Sequence, residues 1–155
     1  MPIDLSELND RVEITELLYE SFRRLDHADV AGVAALFTED AVFDFAPGGS
    51  AAGRDVIEGV MGQLLVPYVH TSHHISNVQI RFESPDRALV ISYVMGWHEY
   101  ADETPNATAY GEYNDTWERT TGGWKVAARK ILAHGLDGFV YDPYWIPRAP
   151  TSAHG

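Results

Sequence analysis

The segment HHISNVQIRFESPDRALVISYVMGWHEY, from His73 to Tyr100, decides the fold class. Apolar and polar residues alternate through both of its halves, which is typical of β-strands with one buried face. The tripeptide SPD at 84–86 separates the halves and favours a tight connection. We therefore predict a hairpin with strands over about 73–82 and 87–100.

Two more segments of the same kind follow, at about 108–119 and 124–133. ADETPN precedes the first of them and TTGG separates the two, and both stretches are rich in turn-forming residues. Short alternating segments with such separators predict a run of antiparallel hairpins. The second half of the chain is thus predicted to be a four-stranded meander.

The first half favours helices. Asp4 and Glu7 resemble a capping box, and apolar residues then recur at helical spacing at Ile14, Leu17, Leu18, Phe22 and Leu25. A short second helix, a short strand in AVFDF (41–45), a loop in PGGSAAG (47–53) and a third helix over 54–65 are predicted to follow.

Helices followed by an antiparallel meander imply an α+β domain. The simplest packing wraps a curved sheet around the long first helix. A chain of 155 residues can bury one sizeable core, so we predict a single domain over 1–155. The segment from about 135 to 155 is expected to be an irregular tail.

Composition and charge exclude several functions. The chain has no cysteine, which excludes disulfides and thiolate chemistry, and its net charge of −12 with scattered basic residues disfavours nucleic-acid binding. No apolar run approaches the ~20 residues needed to cross a membrane. MPIDLSELND lacks the features of a signal peptide. We expect a cytoplasmic protein that binds a neutral or weakly polar small molecule.

The histidines at 70, 73 and 74 are candidate functional residues. Strict alternation places His74 on the face of Val78 and Ile80, and His73 on the opposite face. We therefore predict that His74 points inward. Adjacent strand residues diverge, so no metal site is expected. His74 is then either a general base or a structural histidine with a satisfied partner.

Asp26 is the second candidate. It follows Phe22 by four residues, so it continues the inward face of the first helix, although a helix-terminal aspartate that bonds a nearby loop is the alternative. A buried carboxylate needs a partner, and an inward histidine would serve. An Asp–His pair fixes the imidazole tautomer and makes the free ring nitrogen a general base.

The order of these elements resembles a known superfamily. The segments LDHADVAGVAALFTEDAVFDF, HTSHHISNVQI and WERTTGGWKVAARKI are similar to the nuclear-transport-factor-2-like superfamily, in its SnoaL-like branch. The resemblance implies a cystatin-like cone with an internal pocket. The most similar members are scytalone dehydratase, hexachlorocyclohexane dehydrochlorinase and bile-acid 7α-dehydratase, which are cofactor-free lyases with an Asp–His dyad.

The resemblance assigns roles to residues of this chain. It implies that Asp26 and His74 are the dyad, that Arg129 and His98 assist at the leaving group or carbonyl, and that Asn114 lies in the pocket. Aromatic side chains complete the candidate substrate-binding set at Phe45, Tyr19 and Trp97, although the last two are also typical of core packing. Leu25 and Phe45 stand where scytalone dehydratase has tyrosines, and Ser21 stands where the dehydrochlorinase has a lysine. The resemblance therefore does not imply the substrate of either enzyme.

The expected function is a cofactor-independent, dehydratase-type lyase for a small cyclic or polycyclic substrate. An isomerase or polyketide cyclase with the same base, or a non-catalytic ligand-binding subunit, are the alternatives. No metal or organic cofactor is expected. One exposed sheet face, the aromatic tail and the resemblance together predict a homo-oligomer, a trimer before a dimer.

Overall fold

The computed structural model describes residues 4–148. A 3₁₀ turn at Leu5–Glu7 precedes the long first helix. The helices are α1 (Leu8–Asp26), α2 (Val30–Ala34) and α3 (Arg54–Leu65). The strands are β1 (Phe37–Ala46), β2 (Gly49–Ala52), β3 (Tyr68–Ser84), β4 (Arg87–Tyr100), β5 (Ala107–Thr120) and β6 (Gly123–Asp137).

The strands form one six-stranded sheet in the order β2-β1-β6-β5-β4-β3. The pairs from β6 to β3 are antiparallel, so the predicted meander is confirmed. The β1–β6 pair is parallel, and its two strands are separated in the chain by β2, α3 and the strands β3 to β5. The segment PGGSAAG was predicted to be a loop, but it contains β2, which closes a hairpin on β1.

The first helix packs against one face of this curved sheet. Ile14, Leu18 and Phe22 are buried on α1 at the spacing the sequence predicts, and they meet Trp117 and Val126 from the sheet within one hydrophobic core. Burying each such side chain contributes about 1.5–3 kcal/mol. The α+β fold with a curved sheet around a long N-terminal helix is confirmed.

Strand β3 contains a bulge that the alternation pattern does not reveal. Ser76 pairs with Tyr93 and Gln79 with Ile91, so three residue steps on β3 match two on β4. Asn77 at the bulge has φ 50, a left-handed conformation that asparagine tolerates better than most residues. Ile75 and Val78 therefore both pack against the core, and the inward face changes phase at Asn77.

Residues 138–148 are irregular but attached to the sheet. The N–H of Ala133 donates to the carbonyl of Tyr144 (2.7 Å), and the N–H of Ile146 donates to the carbonyl of Ala133 (3.0 Å). These bonds hold residues 144–146 alongside Ala133 of β6. Within the described part of the chain, no helix is both long and apolar enough to cross a membrane.

Candidate active site

A cavity of about 430 Å³ lies between α1, α3 and the inner face of the sheet. Most of the side chains around it are aliphatic or aromatic, including those of Phe22, Phe43, Phe45, Met61 and Phe139. A few polar side chains reach it, at His73, His98, Tyr113 and Arg129. An apolar pocket with a small number of convergent polar groups is the usual form of a small-molecule site.

Asp26 and His73 form a closely bonded pair at this cavity. Nδ1 of His73 lies 2.6 Å from Oδ1 of Asp26, and the His73 N–H donates to Oδ2 at 2.8 Å. The Thr71 hydroxyl also donates to Oδ1, at 2.8 Å. Asp26 ends α1, and the inward phase of β3 before the bulge brings Thr71 and His73 to it.

The prediction that His74 points inward is wrong. Its side chain is exposed, and its Nε2 lies 3.1 Å from the hydroxyl of Ser72. The His73 side chain is only 8% exposed. Strict alternation counted back from Val78 assigns the wrong face because the bulge at Asn77 inserts one extra residue. The partner of Asp26 is thus the neighbouring histidine.

The geometry fixes the state of the His73 ring. A carboxylate accepts hydrogen bonds, so Nδ1 carries the proton and Nε2 keeps its lone pair in the neutral ring. Burial raises the pKa of Asp26, but the hydrogen bonds from His73 and Thr71 outweigh this effect and hold that pKa below its ordinary value. Asp26 therefore stays charged beside a ring whose Nε2 has no partner among the described residues.

His98 lies next to His73, as a second ring edge-on to it with centroids 5.2 Å apart. Its Nδ1 lies 3.1 Å from the carbonyl of Gly96, to which it donates. Burial, together with the nearby His73, lowers the pKa of His98 to about 4. His98 is therefore neutral at neutral pH, and its Nε2 can accept a hydrogen bond from a ligand hydroxyl.

Arg129 is buried at the cavity wall. Its Nε and Nη2 donate to the two carboxylate oxygens of Asp115, at 2.8 and 2.6 Å. The guanidinium also lies over the ring of Tyr113, 4.6 Å from its centroid. A bidentate pair of this kind cancels most of the charge and leaves Nη1 as the arm not bound to Asp115.

Three of the predicted substrate-binding residues do not line the cavity. Asn114 lies on the outer face of β5, where its amide donates to Glu112, because Tyr113 and Asp115 occupy the inward positions. Tyr19 is 45% exposed on α1, and Trp97 lies on the face of β4 opposite His98. Phe45 does line the cavity, as predicted.

The sequence reasoning missed several cavity residues. Besides His73, these are three tyrosines, Tyr68, Tyr113 and Tyr141, all with pKa values raised by burial and therefore protonated at neutral pH. The alternation of β5 around Trp117 could have indicated Tyr113 and Asp115 as inward. No sequence pattern indicates that Tyr141 lies at the cavity, because it belongs to an irregular segment.

Among residues 4–148, no group of three or more histidine, aspartate or glutamate side chains is placed to hold a metal ion. The absence of a metal and of any organic cofactor stays a prediction. The fold and site thus define an α+β cone that encloses an apolar pocket with a buried Asp–His pair.

Comparisons with known proteins identify the family. The SnoaL-like domain matches residues 6–130, and the chain belongs to this family of the nuclear-transport-factor-2-like superfamily. A scytalone dehydratase-like protein from Novosphingobium aromaticivorans has a similar crystal structure. It has a TM-score of 0.89 and 32% identity over 93% of this chain and 97% of that one.

Two other similar proteins are more distant. Hexachlorocyclohexane dehydrochlorinase type 3 from Novosphingobium barchaimii has a TM-score of 0.79 and 18% identity, over 94% of this chain and all (100%) of that one, and it shows the fold alone. An uncharacterized protein of Mycobacterium tuberculosis is 26% identical over 129 residues, covering 82% of this chain and 87% of the relative. The structural neighbours thus include dehydratase-like and dehydrochlorinase proteins, which are of the lyase type.

Proposed function

We propose that this protein is a cofactor-independent lyase that removes water from a small cyclic or polycyclic β-hydroxy carbonyl compound, with His73 as the base. One observation carries the proposal: Nδ1 of His73 is held 2.6 Å from a charged Asp26, while the ring lies against an apolar cavity. This arrangement supports proton abstraction by Nε2. The dehydratase-like relative supports the same class of reaction.

The proposed reaction has two steps. Nε2 of His73 takes the proton from the carbon beside the substrate carbonyl, and the electron pair moves onto the carbonyl oxygen. The enolate then re-forms its carbonyl and expels the β-hydroxyl, which leaves as water with the proton returned from the imidazolium. Asp26 stabilises the positive charge on His73 between these steps.

The cavity supports a ligand that is largely apolar. Its volume of about 430 Å³ falls in the usual range for small-molecule sites. Arg129, the one cationic side chain among the described residues that line the cavity, is paired with Asp115, so the cavity favours a ligand of low net charge. We assign to His98, which lines the cavity and is neutral because burial lowers its pKa, the role of accepting a hydrogen bond from the hydroxyl that leaves.

The two adjacent histidines provide a matched test. Purified wild type, His73→Ala and His74→Ala would be incubated with a panel of cyclic β-hydroxy ketones, and formation of the conjugated enone followed by its absorbance. We expect turnover in the wild type and in His74→Ala, and a loss of about 10²–10⁴-fold in His73→Ala. Equal turnover in all three proteins would contradict the proposed base.

The same panel separates the alternatives. An isomerase or cyclase would consume a substrate without releasing water, which mass spectrometry of the products would detect. A binding subunit would retain a ligand unchanged. Either result would overturn dehydration as the reaction, and only the first would leave His73 as a base.

A further inference from the structure

The hydroxyl of Tyr113 takes no part in the two proposed reaction steps. Its side chain is 8% exposed and lines the cavity, and its hydroxyl has no hydrogen-bond partner among residues 4–148. In the same part of the chain, the fully buried polar side-chain atoms without a partner are Arg11 Nε and Ser92 Oγ. Because Tyr113 lines the cavity, a ligand bound there can accept a hydrogen bond from its hydroxyl.

Two neighbours pack against the ring of Tyr113 and so restrict the position of its hydroxyl. The guanidinium of Arg129 lies 4.6 Å from the centre of its ring, and Phe22 packs against it at 5.2 Å. These packing contacts restrict the orientation of the ring. Arg129 also lines the cavity, and its Nη1 makes no hydrogen bond to Asp115.

Tyr113 and the base share a neighbour. Phe22 packs against the rings of both His73 and Tyr113, with centroids 5.8 and 5.2 Å away, and all three residues line the cavity. A ligand seated against Phe22 could therefore contact both His73 and Tyr113. Removal of a proton beside a carbonyl needs a base at the carbon and a hydrogen-bond donor at the oxygen.

We propose that the hydroxyl of Tyr113, together with Nη1 of Arg129, forms an oxyanion site that binds the carbonyl oxygen of the substrate and the enolate formed from it. This inference rests on the proposed function for its reaction, but the oxyanion site itself binds ligands independently. Two hydrogen-bond donors in an apolar cavity stabilise negative charge on oxygen strongly. The preferred ligands are then cyclic ketones and, as enolate analogues, phenolates.

Binding of 4-nitrophenol tests the site without turnover, since its phenolate is coloured and its neutral form is not. Bound to the wild type, this probe should ionise at a lower pH than in free solution. Tyr113→Phe removes one donor with little change of shape, and it should bind the phenolate about tenfold or more weakly, as expected for a lost hydrogen bond to a charged group. Tyr93→Phe, which loses a hydroxyl on the outer face of the sheet, should behave as the wild type.

Two outcomes would overturn the oxyanion site: no lowered ionisation of the probe in the wild type, or equal phenolate binding in Tyr113→Phe and Tyr93→Phe. Thermal melting of both variants verifies that they fold. If Tyr113→Phe does not fold, incorporation of 3-fluorotyrosine replaces it. The fluorine resonance of residue 113 should shift on phenolate binding, and an unchanged resonance would also overturn the site.

Phenolate binding distinguishes this inference from the proposed function, because binding requires no proton transfer by His73. If no ketone of the panel is dehydrated but binding still depends on Tyr113, the proposed reaction fails and the oxyanion site stands. If the wild type dehydrates a ketone and Tyr113→Phe keeps full kcat, the oxyanion site fails alone, since loss of one such donor should lower kcat by about 10²–10³-fold.

Discussion

Asp26 is the residue on which the proposed site depends. Its two carboxylate oxygens accept from the Thr71 hydroxyl, the His73 backbone and the His73 ring, so a single side chain fixes both the position and the tautomer of the base. Arg129 has the same relation to Asp115, which holds two of its three nitrogens. In both cases a partly or fully buried acid determines what its partner presents to the cavity.

Replacing Asp26 by asparagine should separate a catalytic role from a structural one. The amide can donate to Nδ1 and so favour the tautomer with the proton on Nε2, and we expect turnover to fall by about 10²–10⁴-fold. The lowered pKa of Asp26 means that folding favours its charged form, so the urea midpoint should fall slightly. The double variant Asp26→Asn/His73→Ala should lose little beyond either single change, because the two residues act as one unit.

Turnover per folded molecule and the urea midpoint would be measured on the same three variants. His74→Ala serves as the control. A large loss of stability with intact turnover per folded molecule would instead make Asp26 a structural residue.

His98 should make the folded protein less stable at mildly acidic pH. Burial lowers its folded-state pKa from 6.5 to about 4, so between these values the unfolded chain binds a proton that the folded chain does not. The contribution of His98 to the free energy of unfolding should therefore be constant above pH 6.5. It should decline as the pH falls from 6.5 to about 4.

Urea midpoints between pH 7 and pH 4.5 measure this effect. His98→Gln should flatten the dependence, whereas His74→Gln, a change at an exposed position, should keep it. The same slope in His98→Gln as in the wild type would show that other groups cause the decline.

Strand β3 is the element that decides which histidine enters the cavity. Its bulge at Asn77 changes the phase of alternation, so that Thr71, His73 and Ile75 face inward on one side of it and Val78 and Ile80 on the other. Regular pairing from 68 to 84 would have aimed His74 at Asp26. The bulge is therefore a functional part of the strand.

Substitution of Asn77 should disturb the site from a distance. Valine at φ 50 carries a steric cost of about 1–2 kcal/mol, and relief of that strain would shift β3 and move His73 from Asp26. We expect Asn77→Val to lower both the urea midpoint and turnover, whereas Asn77→Gly should keep both. Gln79→Val, at a regular exposed position of the same strand, is the control, and equal behaviour of the two valine variants would contradict the role of the bulge.

For the molecule as a whole, the outer face of the sheet is the main surface without a covering layer in the monomer. Ile91, Tyr93 and Met95 are each about 40% exposed along β4, and Tyr110 on the neighbouring β5 adds to them. A contiguous apolar face of this kind is typical of an interface. It supports our proposal of a homo-oligomer, a trimer in preference to a dimer.

Sedimentation velocity at micromolar concentration should therefore show a species about three times the mass of the 17.3 kDa chain. Met95→Glu places a charge in the centre of this face and should shift the protein towards the monomer. Val12→Glu, an equally polar change at an exposed position of α1, should not. A monomeric wild type would exclude the proposal.

Local sequence patterns are enough to predict the class of fold and most of the elements. The periodicities of α1 and of the four long strands carry enough apolar residues to fix helix, strand and buried face locally, and Asp26 followed from its position four residues after Phe22. Arg129 and His98 were assigned by resemblance, and the structure places both at the cavity. These results depend on local spacing, which the chain shows directly.

Which side chains meet depends on contacts between distant parts of the chain. The bulge at Asn77 arises from pairing with β4, and a single inserted residue reverses every side chain before it, so His73 replaced His74. The parallel pairing of β1 with β6 and the position of Tyr141 at the cavity likewise join segments far apart in the chain. Such contacts depend on how strands pair and where irregular chain is attached, and the local sequence pattern does not encode either.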